Sequence, residues 1–294
     1  MIKSIRVFID ILMGYLLLVP SLIYLFSDQN LTFVPHTILL VTFCLINSLT
    51  FHYLTLFIHA SAHFNFVRQS KKVNDILSNI FIGYIFLLPM SVYRKKHFGH
   101  HSLIGELDDP ENSYQYEINF KNFICWTCLV FPVGKLFKLY NRKRSSDKLT
   151  VSAFVDRILS ILVFTSFHAV MVLNSLGGLE KYLFLIFIPQ IMLLPMWNWL
   201  RTAAEHQPSQ STEGKFVLRR FKFDFFGFFL GAAGFRYHDV HHKNPTIHYL
   251  DLSKNKNIVS APLEARSYTQ TLIKLIDRKN EYTPRSPTQQ ISDM

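Results

Sequence analysis

The chain has 294 residues, of which 49% are hydrophobic and 28 are phenylalanine, with a mean hydropathy of +0.18 and a formal net charge of +11. This composition is typical of a membrane protein, and three cysteines are too few for a disulfide scaffold. The charge does not indicate nucleic-acid binding, because the basic residues stand in blocks beside apolar segments and no groove-reading motif accompanies them.

Four apolar segments are long enough to cross a bilayer core of about 30 Å at about 1.5 Å per helical residue. They predict two hairpins of transmembrane helices, residues 7–26 with 37–58 and residues 158–176 with 182–200. A cleaved signal peptide is the alternative for the first segment, but no cleavage site follows it and further spans do. The basic blocks predict that the side on which the histidine clusters lie is cytosolic.

Three further apolar segments are predicted not to cross the membrane. Residues 76–93 contain Gly83 and Pro89, and a crossing there would put the histidines before and after them on opposite faces, so this segment either dips into the membrane and returns or lies along the interface. Residues 120–140 and 216–235 are interrupted by charged residues and are predicted to be interfacial helices. The sequence therefore predicts an all-α membrane domain over residues 1–252 and a basic cytosolic tail over residues 253–294, in which residues 263–278 suit a surface helix.

Nine of the thirteen histidines lie in four places along the chain. They are His59 and His63; His97, His100 and His101; His206; and His238, His241 and His242. The spacings i, i+3 and i+4 put the members of one cluster on one face of a helix. A solvated surface patch is the alternative for any single cluster. Because first-row metals take about four to six donors, nine imidazoles suit two metal ions with open positions.

Carboxylates beside these clusters are predicted to accept hydrogen bonds from the N–H groups of ligand imidazoles and to offset the charge of the metals. Asp108, Asp109 and Glu111 follow the second cluster, and Glu205 and Asp239 adjoin two other ligands. Imidazole ligands suit iron, copper, nickel or zinc, so the donor set alone does not select the metal.

Three histidine boxes resemble those of the membrane fatty acid desaturase superfamily, which also contains lipid hydroxylases and carotenoid ketolases. They are His-x-x-x-His at His59, His-x-x-His-His at His97 with Asp109-Pro110 downstream, and His-x-x-His-His at His238. The resemblance covers about residues 37–252. It implies four spans and a cytosolic non-haem di-iron site in which all nine listed histidines bind iron. Ala60 is a departure, since relatives often have an acidic residue there, and support for the first box must come from elsewhere.

The resemblance implies an oxidoreductase that desaturates a fatty acyl chain with two iron ions and dioxygen, the chain being held as an acyl-lipid, an acyl-CoA or on an acyl carrier. A lipid hydroxylase or carotenoid ketolase is the alternative on the same fold, since each begins by removing one hydrogen from carbon. A membrane zinc hydrolase is the alternative of another class, although His59-Ala-Ser-Ala-His63 lacks the glutamate of a zincin motif.

An external electron donor is predicted, because the chain has no haem-binding domain, flavin fingerprint or iron–sulfur cysteine motif. The donor would be of the ferredoxin, rubredoxin or cytochrome b5 type. The basic residues 141–148 and the basic tail are candidate docking surfaces by charge, and the positive-inside bias of membrane proteins is the alternative explanation for them. The expected location is a bacterial inner membrane, or the endoplasmic reticulum in a eukaryote.

Overall fold

The computed structural model describes residues 2–28, 31–106, 108–130, 150–176, 178–208, 217–259 and 263–277. In chain order the described elements are α1 (Ile2–Leu25), α2 (Phe33–Ala62), α3 (Lys71–Ser78), α4 (Met90–Leu103), α5 (Phe120–Thr127), α6 (Val151–Leu173), α7 (Leu179–His206), β1 (Arg219–Lys222), α8 (Phe225–Leu230), α9 (His238–Lys243), β2 (Leu263–Ser267) and α10 (Tyr268–Ile276). The predicted predominance of helix is confirmed.

The chain divides into two compact units. Unit 1 comprises Met1–Arg94 and Cys125–Trp197, and unit 2 comprises Lys95–Ile124 and Asn198–Met294. The long apolar helices belong mainly to unit 1, and short helices, turns and a small sheet make up unit 2.

Each of the four predicted spans coincides with a long apolar helix, and these helices, α1, α2, α6 and α7, have 24, 30, 23 and 28 residues. At about 1.5 Å per residue, each is longer than a bilayer core of about 30 Å. Each helix begins before the predicted apolar segment; α2 and α7 also end after it, whereas α1 and α6 end one and three residues before its predicted end. Thr150 caps α6 by accepting a hydrogen bond from the Ala153 N–H (3.3 Å), so this helix begins at Val151. The pairing of the spans into hairpins stays a prediction.

Buried polar contacts join three of these helices in unit 1. The Asn47 side chain of α2 donates to Ser21 Oγ of α1 (2.9 Å) and to the Leu185 carbonyl of α7 (2.7 Å). Gly14 of α1 lies so close to α2 that an added Cβ would be 2.5 Å from Leu54 Cδ2. A glycine allows this close approach, and the hydrogen bonds satisfy polar groups that lipid cannot satisfy.

Residues 76–93, predicted not to cross the membrane, do not form one continuous helix. α3 continues as the π-helix Asn79–Gly83, and a turn follows in which Leu87 has a φ of 54°. α4 then begins at Met90, whose N–H donates to Asn79 Oδ1 (2.7 Å). Gly83 fits this turn because an added Cβ would lie 2.9 Å from the Leu88 carbonyl oxygen. The break leaves each helical piece too short to span a bilayer.

The all-α prediction omits a two-stranded parallel sheet in unit 2. β1 pairs with β2 in the register Arg219–Leu263 and Phe221–Arg266, with an irregularity between the two β1 positions. The predicted surface helix over residues 263–278 therefore begins only at Tyr268. Ser267 and Gln270 form a capping box at this start, and their Ser-x-x-Gln spacing is a signal that the sequence prediction missed.

Other predicted boundaries fall on mixed or undescribed structure. Residues 216–235 contain β1 and α8, whereas residues 120–140 begin with α5 and lie outside the described residues from 131 onward. The basic residues 141–148 are also outside the described residues. The division into a domain over 1–252 and a tail over 253–294 stays a prediction, and the described part of that tail includes β2 and α10.

Candidate metal centre

Seven of the nine histidines predicted to bind metal come together within unit 2. They are His97, His100 and His101 of α4, His206 at the end of α7, and His238, His241 and His242 of α9. The ligand nitrogens of His97, His101 and His241 lie within 4.8 Å of one another, and so do those of His100, His206 and His242. The two subgroups adjoin, because the ring centroids of His101 and His242 are 4.4 Å apart.

Hydrogen bonds cannot account for all the nitrogen–nitrogen contacts in the first subgroup. His101 Nε2 lies 3.0 Å from His97 Nε2 and 3.1 Å from His241 Nε2. A neutral imidazole nitrogen carries either one proton or one lone pair. His101 Nε2 can therefore make one strong hydrogen bond, yet it faces two partners at hydrogen-bonding distance.

The same geometry recurs at His238, whose Nε2 lies 3.0 Å from both His206 Nε2 and His242 Nε2. A cation placed between such nitrogens would accept a lone pair from each. With a metal–nitrogen bond of about 2.1 Å, two nitrogens at a right angle on one ion are about 3.0 Å apart. The donor set of unit 2 therefore fits two metal ions.

Burial keeps these imidazoles in the form that binds metal. Burial, together with the neighbouring imidazoles His97 and His100, lowers the pKa of His101 to about 3. Burial also lowers the pKa of His238 and of His242 well below 6.5, again with help from adjacent imidazoles. A neutral imidazole offers a lone pair to a metal, whereas a protonated one does not. These side chains are therefore ready to bind metal at neutral pH.

Carboxylates hold two of the rings from the side opposite to the converging nitrogens. His100 Nδ1 donates to Asp109, with distances of 2.9 and 3.0 Å to its two oxygens. Asp109 also accepts from the Tyr114 hydroxyl (2.6 Å) and from the Glu111 N–H (2.7 Å). His97 Nδ1 lies 3.4 Å from Glu111 Oε2. A proton held on Nδ1 leaves the Nε2 lone pair free for a metal.

The remaining predicted carboxylates lie in three different surroundings. Asp108 is exposed. Asp239 is buried in an ion pair with Arg220 (2.7 Å). Glu205 is fully buried, and its Oε2 lies 3.6 Å from His238 Nε2, the nitrogen that faces the other imidazoles.

The other two predicted ligands, His59 and His63, lie in unit 1 near the C-terminal end of α2, with ring centroids 5.3 Å apart. Arg94 binds the carbonyls that end this helix, donating to Ala62 O (3.0 Å) and Ser61 O (3.3 Å). A cation suits this position, because the last carbonyls of a helix lack partners within the helix and carry partial negative charge.

Two further side chains complete this support. Asp75 pairs with the Arg94 guanidinium at 2.5 Å, and the Asn74 amide donates to Ser61 O (2.9 Å). These contacts hold the backbone of the helix end, whereas support for the rings of the first box, where Ala60 stands in place of an acid, stays a prediction. The sequence prediction missed all three residues, since Arg94 lies 32 positions from Ala62 and no local motif links them.

The family model described as fatty acid desaturase matches residues 34–272, a range that contains all nine predicted ligands. No curated protein and no solved structure matches the chain. The family match covers most of the chain and agrees with its four apolar helices and its histidine clusters. The chain therefore belongs to the fatty acid desaturase family, membership of which implies a membrane-associated oxidoreductase that acts on a lipid.

Proposed function

We propose that this protein desaturates a fatty acyl chain with dioxygen at a di-iron centre. The observation that carries the proposal is the convergence of seven imidazoles in unit 2, with two central nitrogens that each face two others at 3.0 to 3.1 Å. Two iron ions held there would supply the redox chemistry that removes hydrogens from an unactivated methylene, which no side chain can do.

The proposed ligands are the nine histidines of the sequence prediction. His97, His101 and His241 would hold one iron ion, and His100, His206, His238 and His242 would hold the other. His59 and His63 are proposed as the remaining two ligands on the basis of their i, i+4 spacing and the histidine-box resemblance.

The chain's own side chains position these ligands and keep water away from them. Asp109 orients the ring of His100, and Glu111 lies beside Nδ1 of His97. His97, His100, His206, His238 and His241 are buried, so the reacting positions are shielded from bulk water. The long apolar helices suit a substrate that is itself a lipid chain, carried as an acyl-lipid, an acyl-CoA or on an acyl carrier.

The active site is proposed to face the cytosol of a bacterial inner membrane or, in a eukaryote, of the endoplasmic reticulum. Electrons are proposed to come from a separate carrier of the ferredoxin, rubredoxin or cytochrome b5 type, because the sequence has no redox cofactor motif of its own. Turnover of the purified enzyme with a nicotinamide reductant and no carrier would contradict this part of the proposal.

Lipid mass spectrometry of cells with and without the gene tests the reaction. We expect an acyl product two hydrogens lighter than its precursor, together with about two iron ions per purified chain. Gain of an oxygen atom would instead indicate a hydroxylase or ketolase on the same fold. Zinc without iron, and release of a hydrolysed lipid, would overturn the proposal in favour of a zinc hydrolase.

A further inference from the structure

We propose that Glu205 is an oxygen ligand of one of the two metal ions, so that the two ions have different donor sets. The sequence predicts a different role for this residue, that of accepting the N–H of a ligand imidazole. The inference rests on the proposed function only in requiring a metal centre in unit 2.

The first argument is the side of the imidazole on which the Glu205 carboxylate lies. Its Oε2 is 3.6 Å from His238 Nε2, and its ligand oxygen lies within 4.8 Å of the ligand nitrogens of His206 and His238. His238 Nε2 is also the nitrogen that lies 3.0 Å from His206 Nε2. A carboxylate that supports a ligand ring contacts Nδ1, as Asp109 does at His100. Glu205 thus lies on the metal side.

The second argument is electrostatic. A neutral imidazole turns a lone pair towards a metal, and a carboxylate oxygen beside that lone pair is repelled unless a cation lies between them. Glu205 is fully buried, where water does not screen this repulsion. A metal ion bound by His206 and His238 would remove the repulsion and give Oε2 a second cationic partner beside Arg201.

The third argument is that two hydrogen bonds fix the position of the Glu205 carboxylate and still leave lone pairs available for a metal ion. The Tyr268 hydroxyl donates to Oε1 (2.9 Å), and Arg201 donates to Oε2. A carboxylate has about four acceptor sites, so these two hydrogen bonds leave others free for a metal. Tyr268 is itself fixed by stacking on Phe221, with ring centroids 3.8 Å apart. Tyr268 and Arg201 are therefore positioning residues.

The consequence is a chemical difference between the two ions. The ion at His97, His101 and His241 takes nitrogen donors from unit 2, whereas the ion at His206 and His238 also takes an anionic oxygen. Carboxylate oxygen is a harder donor than imidazole nitrogen. The two irons should therefore be distinguishable by spectroscopy even without substrate.

Glu205→Gln tests the proposal in purified full-length protein loaded with iron-57. We expect the wild-type Mössbauer spectrum to contain two unequal iron components in equal amounts. In Glu205→Gln, one component should shift or disappear while the other stays unchanged. Ferrous titration should show the affinity of one of the two ions falling about 10- to 100-fold or more.

Asp224→Asn is the matched control, because Asp224 is another unit 2 carboxylate that contacts α10. It accepts hydrogen bonds from the Thr269 N–H (3.0 Å) and the Gly227 N–H (2.5 Å). This control should leave both iron components and both ferrous affinities unchanged. Tyr268→Phe, which keeps the carboxylate and removes one of its donors, should perturb the same iron component as Glu205→Gln by a smaller amount.

Two iron components that are unchanged in both Glu205→Gln and Tyr268→Phe would overturn the proposal. If Glu205→Gln fails to fold, Tyr268→Phe and Glu205→Asp decide the matter by the same spectra. A different result would contradict the proposed function, namely that the purified wild-type protein contains zinc and no iron. The zinc stoichiometry of the same variants then tests Glu205 as a ligand.

Discussion

Two kinds of contact lie beside the histidines of unit 2 and beside the His59–His63 pair of unit 1. In unit 2 a carboxylate accepts a hydrogen bond from the ring itself, as Asp109 does from His100 at 2.9 Å. In unit 1 Arg94 donates hydrogen bonds to the backbone carbonyls of Ala62 and Ser61, at the end of the helix that carries the pair.

This difference distinguishes the orientation of a ligand ring from the stability of the backbone that carries it. A partner on the ring fixes its tautomer and orientation, so its loss should weaken metal binding directly. A partner on the helix end fixes the backbone that carries the ring, so its loss should lower local stability first. The predictions below test that separation.

The largest effect is expected from removing a ligand. His206→Ala should abolish desaturation and lower bound iron from two ions to one or fewer, while the protein stays folded in detergent, because the loss acts on the metal directly. Iron analysis with circular dichroism measures both. Retention of two irons with near-normal turnover would show that His206 is not a ligand.

His248→Ala is the matched control, since His248 is another buried histidine of unit 2, and its Nδ1 accepts a hydrogen bond from the Leu250 N–H (3.2 Å). The variant should keep its iron and lose about 1–3 kcal/mol of stability, because it removes a helix cap and the packing of a buried ring.

Loss of the ring-holding carboxylate is expected to rank second. Asp109→Asn should weaken ferrous binding about 10- to 100-fold, because the amide no longer offers two anionic oxygens to the His100 and Tyr114 donors. Equilibrium titration with ferrous iron measures this. Asp108→Asn is the control, because Asp108 is adjacent in sequence but exposed, and this variant should bind ferrous iron as tightly as the wild type does. Equal effects of the two substitutions would contradict the proposed role of Asp109.

Removal of the backbone support at the end of α2 should lower metal affinity less than the two preceding substitutions do. Its main effect should be a lower free energy of unfolding. Arg94→Ala deprives the buried end of α2 of charged hydrogen bonds and leaves Asp75 without its guanidinium, which should cost about 1.5–3 kcal/mol. We expect ferrous affinity to fall less than 10-fold once the protein is folded. Thermal unfolding of the apoprotein in detergent gives the stability.

Arg94→Lys sharpens this test, because lysine keeps the charge but cannot bind two carbonyls and a carboxylate with one planar group. It should recover only part of the lost stability. A large loss of iron without any loss of stability in Arg94→Ala would contradict the separation between the two kinds of support.

The smallest effect is expected at His168 in α6, whose Nδ1 lies 2.9 Å from the Tyr182 hydroxyl within unit 1. His168→Ala should leave iron content and product unchanged and cost about 1 kcal/mol, the value of one hydrogen bond. A drop in bound iron in this variant would mean that the assignment of ligands by histidine box is incomplete.

Sequence reasoning succeeded where the signal is periodic. The four spans follow from apolar segments of spanning length, and the clustering of His97, His100 and His101 follows from their spacing on one helical face. The membership of His206 in the unit 2 group could not come from spacing, because it stands alone in the sequence; the family resemblance suggested it.

Contacts between positions far apart in the chain could not be predicted from the sequence. The strand β2 pairs with β1 more than 40 residues earlier, and Arg94 reaches Ala62 across 32 residues. The side of an imidazole on which a carboxylate lies also depends on tertiary packing. Adjacency in sequence therefore suggested the same role for Asp109 and Glu205, whereas the structure orients them on opposite sides of their rings.

The contact between Tyr268 and Glu205 also bears on the order of events during synthesis. Tyr268 is made 63 residues after the carboxylate to which it donates, and β2, which leads into it, is among the last described parts of the chain to be translated. The buried oxygen of Glu205 therefore lacks this donor until translation has passed Tyr268 and β2 has paired with β1. A fully organised centre should consequently form only after that point, and ribosome-bound chains stalled before β2 should hold less iron than chains stalled well beyond α10.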